Sequence, residues 1–89
     1  MKISLITTVL NEEKSIEGFL NSVTKQTKLP DELIIVDGCS TDRTVACIKH
    51  YVASIKKLKV RLIIKKGNRS VGRNEAVKKT SGNIIVSSD

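Results

Sequence analysis

The stretch that decides the fold is Leu33–Thr44, which reads L-I-I-V-D-G-C-S-T-D-R-T. Four consecutive aliphatic residues, Leu33, Ile34, Ile35 and Val36, run into the carboxylate of Asp37. Gly38 and Cys39 supply a small, flexible turn, and Ser40, Thr41 and Asp42 add two hydroxyls and a second acid. An apolar β-branched run closed by an acid, a glycine and helix-start residues predicts strand, loop and helix in that order. In open α/β sheets ligands sit at that junction. Asp37 is therefore presented at the carboxyl end of a buried strand, where a ligand would meet it.

The same grammar extends in both directions. Residues 3 to 9, I-S-L-I-T-T-V, predict a first strand. Asn11 is a good N-cap, and Glu12 and Glu13 complement the positive end of a helix over 12–26. That helix carries Ile16, Phe19, Leu20 and Val23 at helical spacing and stops before Pro30. The second strand spans 32–37. A second helix over 41–56 has Val45, Ile48, Val52 and Ile55 on one face, is capped by Ser40 or Thr41, and holds Asp42 in its first turn. A third strand over 59–65 leads into a basic loop, Lys66 to Arg69, containing Gly67. A short helix over 70–79 ends at Gly82, a left-handed cap, and 83–88 forms a fourth strand. The order β-α-β-α-β-α-β with short connections predicts a three-layer α/β/α fold with a mainly parallel sheet and right-handed crossovers.

The 89 residues suffice for one small domain, with no internal repeat or linker. Because the chain stops one residue past the fourth strand, these residues are expected to be the front part of a longer domain. No apolar run approaches the ~18 residues of a membrane span, and the N-terminus lacks a signal-peptide layout. Sixteen Lys and Arg against nine Asp and Glu give a net charge of +7, which favours anionic partners. With only Phe19 and Tyr51 as aromatics, stacking on single-stranded nucleic acid is not expected. Cys39 and Cys47 do not make a zinc pattern. Cys47 reads as a small hydrophobe facing the sheet, and Cys39 as a small turn residue. His50 reads as a surface residue, and Lys78 and Lys79 suit the negative end of the third helix.

In a parallel sheet all strands point one way, so the ends of strands one, two and four share a rim. The rim gathers Thr8 to Glu12, Asp37 with Gly38, and Ser88 with Asp89, beside Arg69 and Arg73 at the third-helix entrance. If the strand order is 3-2-1-4, the connections reverse between strands one and four, which makes a ligand crevice there. A strand-end carboxylate such as Asp37 accepts hydrogen bonds from a base N–H or a ribose hydroxyl. Arg73 suits a diphosphate or the edge of a base. Asp89 is suited to a divalent cation that bridges phosphate oxygens. Neither G-x-x-x-x-G-K-[ST] nor G-x-G-x-x-G occurs, which argues against P-loop ATPases and dinucleotide dehydrogenases. A G-x-S-x-G hydrolase elbow is absent too.

Four segments together resemble the start of a family 2 glycosyltransferase. They are I-S-L-I-T-T-V-L-N-E-E at 3–13, S-V-T-K-Q-T at 22–27, E-L-I-I-V-D-G-C-S-T-D-R-T at 32–44 and G-R-N-E-A-V-K-K-T-S-G-N-I-I-V-S-S-D at 72–89. The resemblance covers essentially the whole chain and implies the Rossmann-like front half of a GT-A fold, truncated, with strand order 3-2-1-4. It implies transfer of a sugar from a nucleoside-diphosphate-sugar donor to an acceptor hydroxyl on a saccharide, lipid or protein. By the same resemblance Thr8 and Leu10 line the base pocket, with Asn11 and Glu12 beside it. Asp37 contacts the base with Gly38 next to it, and Arg73 lies near base and diphosphate. Asp89 opens a D-x-D-type motif for Mn2+ or Mg2+. Many members carry an aromatic at the position of Leu10, and many carry a second acid at that of Gly38. The catalytic base, a later acid in the family, is expected beyond residue 89, so the fragment alone is not expected to catalyse transfer.

A second class stands beside this one: a noncatalytic nucleotide- or anion-binding α/β module whose charge serves nucleic acid or a membrane surface. Steep salt dependence marks nucleic-acid binding, whereas a donor pocket depends on the base and on manganese. The resemblance points away from specific nucleic-acid binding. It also implies a cytoplasmic location, with peripheral association at the inner membrane face compatible with the basic surface.

Overall fold

The computed structural model describes residues 2–26, 29–55, 57–80 and 84–88, with the backbone alone described at 69 and 84–88. Strand β2 (Glu32–Asp37) is buried at all six positions. It is parallel to β1 (Ile3–Val9) on one edge and to β3 (Lys59–Ile64) on the other. β1 in turn pairs with β4 (Ile84–Ser88), so the sheet runs β3-β2-β1-β4, the expected order. The register sets Val9 opposite Asp37 and Asp37 opposite Ile64. Three strand ends therefore finish level, and the three loops leaving them meet on one rim.

Each sheet face has its own core. On one side, α1 (Ile16–Thr24) and α2 (Thr44–Ser54) bury Ile16, Leu20, Val23 and Ile48 against Leu33 and Ile35. Alternation along the strand turns Ile34 and Val36 to the other side. There α3 (Arg69–Lys79) adds Ala76, and β1 adds Ile6. Phe19, Cys47, Val52 and Ile55 pack half-buried on the first core, as the helical spacing predicts. Tyr51 joins them, and its hydroxyl donates to Asn21 Oδ1, tying α2 to α1. Cys39 and Cys47 are both free thiols, and His50 is exposed, as expected.

The helix starts differ from the sequence expectation. α1 begins at Ile16 rather than 12, after a turn in which the Glu12 carbonyl accepts from the N–H groups of Ser15 and Ile16. Asn11 is not its N-cap. Its backbone takes a left-handed φ of 52°, and its side chain accepts from the Thr41 N–H. The N–H groups of Glu12 and Glu13, which a helix start at 12 would leave for capping, are bonded to Thr44 Oγ1 and Asp42 Oδ2. α2 begins at Thr44 rather than 41, and neither Ser40 nor Thr41 caps it. Asp42 precedes the helix and accepts from the Thr44 N–H, an Asx-type turn that delays its first turn. β3 ends at Ile64, and α3 starts at Arg69 with Asn68 as a true N-cap, its side chain accepting from Val71 N–H. Gly82 lies outside the described residues.

Gly72 sets how closely α3 approaches the sheet. A Cβ there would lie 2.9 Å from Thr8 Cγ2 and 3.4 Å from Val36 Cγ1. In an open helix Gly→Ala gains up to about 1 kcal/mol. Here Gly72→Ala has to push α3 off β1, a strain of roughly 1–3 kcal/mol. The expected result is a lower urea midpoint than wild type. A raised midpoint would show that α3 shifts off the sheet without resistance.

Candidate nucleotide-binding cleft

The level strand ends open into a cleft of about 380 Å³. From β1 and its loop come Thr8, Val9, Leu10 and Glu12; from β2, Val36 and Gly38; from the segment after β3, Lys65, Gly67, Asn68 and Gly72. Leu10 is 53% exposed at the mouth, an apolar side chain offered to whatever enters. Gly67 adopts φ 146°, and a Cβ there would strike Val71 at 2.8 Å, so the turn into α3 requires glycine. The N-terminal end of α3 and the Lys65 ammonium give this wall a positive character. Lys65 Nζ stands 4.0 Å from Glu75 on α3 and is otherwise turned largely to solvent.

The structure brings four of the sequence-derived candidates into the cleft wall: Thr8, Leu10, Glu12 and Gly38. Three others stand beside it. Asp37 is fully buried, with Ser40 N–H donating to its Oδ2 at 2.8 Å and Ser40 Oγ–H to its Oδ1 at 2.5 Å. A buried carboxylate needs such donors, because burial without them is costly. Asn11 is engaged across the rim, its N–H donating to Ser40 Oγ at 2.8 Å and its Oδ1 accepting from Thr41 N–H at 2.8 Å. Arg73 is exposed on α3, one residue beyond Gly72. Asp89, the expected metal ligand, lies outside the described residues. Among the described residues no group of three His, Cys, Asp or Glu side chains gathers to hold a metal ion.

The sequence reading omitted the third wall, formed by Lys65, Gly67, Asn68 and Gly72. It also set the crevice between strands one and four. No side chain of β4 is among the described residues, and the cleft that the described residues form covers the ends of β1, β2 and β3, with α3 packed close to Val36 and Thr8. The signal available was the pair of glycines at 67 and 72 bracketing a helix start.

The β1–α1 and β2–α2 loops are stitched together. Besides the Asn11 bonds, Glu12 N–H donates to Thr44 Oγ1 at 2.7 Å, and Thr44 Oγ1 in turn donates to Asp42 Oδ1. Partial burial pulls the Asp42 carboxyl upward. The Thr44 hydroxyl and N–H and the Glu13 N–H outweigh it and hold the group below the usual carboxylate range.

Comparison with known proteins gives this geometry its relatives. The model of Glycosyl transferase family 2 matches residues 4–89. Poly(ribitol-phosphate) beta-N-acetylglucosaminyltransferase TarS of Staphylococcus aureus is 34% identical over 88 residues, covering 97% of this chain and 15% of that protein. The crystal structure of S. aureus TarS 1–349 in complex with UDP-GlcNAc superposes with a TM-score of 0.86 at 34% identity, over 100% of this chain and 26% of that one. The mannosyltransferase PcManGT from Pyrobaculum calidifontis, in complex with GDP-Man and Mn2+, superposes with a TM-score of 0.85 at 25% identity, over 94% and 26%. This chain therefore spans well under half the length of each of them.

The Asp42 bonds have a pH signature. A carboxyl whose folded value is depressed contributes stability above its unfolded value, about 3.9 for aspartate, and loses that contribution as pH falls through the folded value. Wild type is expected to be more stable than Asp42→Asn at pH 7. That margin is expected to shrink as pH falls below about 4. Urea midpoints of both proteins across this range check it, and a margin independent of pH would contradict it.

Proposed function

The chain belongs to glycosyltransferase family 2, and from that premise we propose that residues 1–89 supply the donor-nucleotide site of an enzyme that moves a sugar from a nucleoside-diphosphate-sugar to an acceptor hydroxyl. The observation that carries this is the cleft at the carboxyl ends of β1, β2 and β3, walled by Leu10 and Gly38 and faced by the N-terminal end of α3. The Lys65 side of the cleft favours an anion. Complexes of relatives with UDP-GlcNAc and with GDP-Man and Mn2+ support a nucleoside diphosphate sugar as the ligand class.

In this proposal Thr8, Leu10, Glu12 and Gly38 line the base and ribose site, and Asn11 holds its outer lip. Asp37, directly behind Gly38, reads a base N–H. Arg73 pairs with the diphosphate or packs beside the base. Asp89 contributes a carboxylate to a divalent cation, Mn2+ or Mg2+, which when bound offsets charge on the departing diphosphate. In the transfer itself, the acceptor oxygen forms a bond to the anomeric carbon, and the bond from that carbon to the diphosphate oxygen breaks, leaving the nucleoside diphosphate. No residue of this chain is assigned as the base that receives the acceptor proton.

The net charge of +7 supports peripheral association with an anionic cytoplasmic membrane face. Among the described residues no helix is long and apolar enough to cross a membrane.

Replacing Asp37 tests the site. A hydrogen bond to a charged group is worth about 1.5–3 kcal/mol, so Asp37→Ala is expected to weaken nucleoside-diphosphate binding by roughly ten- to a hundredfold in calorimetry. Unchanged affinity in a variant that retains its circular dichroism would remove Asp37 from the site.

A further inference from the structure

Asp37 is held from one side of the rim. Both of its carboxylate oxygens accept from one residue, Ser40, through the backbone N–H at 2.8 Å and the hydroxyl at 2.5 Å. The same hydroxyl oxygen accepts the Asn11 N–H at 2.8 Å, from the loop on the opposite lip. One side chain thus joins the buried acid behind the cleft to the segment that carries Leu10 and Glu12. Cys39, between Asp37 and Ser40, takes a left-handed φ of 70°, which curls the chain back so that Ser40 meets the carboxylate.

We infer that Ser40 is a positioning residue: it fixes the plane of the Asp37 carboxylate and thereby sets which nucleobase the cleft prefers. This rests on the donor-nucleotide assignment proposed above. The physical ground is the soft terminal torsion of aspartate, which is broad and roughly two-fold when nothing holds it. Two donors from one residue, one on each oxygen, hold that torsion. A locked acceptor discriminates between bases, because a base whose donors point elsewhere leaves the buried oxygen poorly paired. A carboxylate freed at one oxygen can turn to suit several bases, and discrimination falls even where affinity does not.

The test is the selectivity ratio, which a purely structural defect would leave alone. Kd values for UDP, GDP, CDP and ADP are measured by calorimetry on the protein, Ser40→Ala and Ser40→Thr, with circular dichroism as the control for folding. Ser40→Ala is expected to lower the ratio of weakest to tightest Kd by about tenfold. Ser40→Thr, which keeps the hydroxyl, is expected to restore it. Equal weakening for all four nucleotides, with the ratio preserved, would overturn the inference while leaving the donor site intact. Failure of the wild-type protein to bind any of the four would overturn the donor-site assignment and this inference with it. Should the alanine variant not fold, Ser40→Cys keeps the volume with a weaker donor and is read by the same ratio. A preserved ratio there would equally overturn the inference.

Discussion

Everything in this molecule depends on one strand that has no exposed residue. β2 is buried at all six positions, so it requires a partner strand on each edge and a helix layer over each face. Its alternating side chains feed two separate cores, Leu33 and Ile35 on one side, Ile34 and Val36 on the other. A chain with this strand in it cannot settle as a simple hairpin or bundle; it must cross over on both sides. The cost of the arrangement appears at the strand ends, where buried backbone gives way to buried carboxylates. Glu32 accepts from Ser4 Oγ–H at one end, and Asp37 accepts from Ser40 at the other.

The functional rim follows from that second end. Asp37 has to be satisfied, and the loop after it turns back through a left-handed Cys39 to bring Ser40 onto it. Once Ser40 is there, Asn11 and Thr44 join the two loops across the rim. The outer face of these bonded loops is what a ligand entering the cleft would meet. The third wall has a different origin. It exists because two glycines let α3 begin in a tight turn and then lie against Thr8 and Val36. Packing and site geometry are therefore the same fact at Gly72, so a methyl group there disturbs both.

How much of this could be read from the sequence depends on the range of the interactions. The strands were legible, because an unbroken aliphatic run and alternating elements are local signals; their order followed from the family resemblance and not from those signals. Asp37 at the strand end was legible for the same reason. The helix starts were not. Their delay arises from bonds between Asn11 and Thr41, Glu12 and Thr44, and Glu13 and Asp42, partners about thirty positions apart that no window contains. Asn11, which reads as a cap in sequence, and Asp42, which reads as a first-turn residue, are spent on stitching two loops. The Lys65 to Gly72 wall was missed because a close backbone approach is written only as the absence of a side chain.

The central claim is that the cleft over β1, β2 and β3 is where a nucleoside diphosphate binds. Amide chemical-shift mapping during titration with UDP and with GDP tests it most directly. The account predicts saturable shifts concentrated at Thr8, Leu10, Gly38, Gly67, Asn68 and Gly72, differing between the two bases. Shifts gathered instead on the α1–α2 face around Arg43 and His50, or identical for both nucleotides and erased by moderate salt, would contradict it.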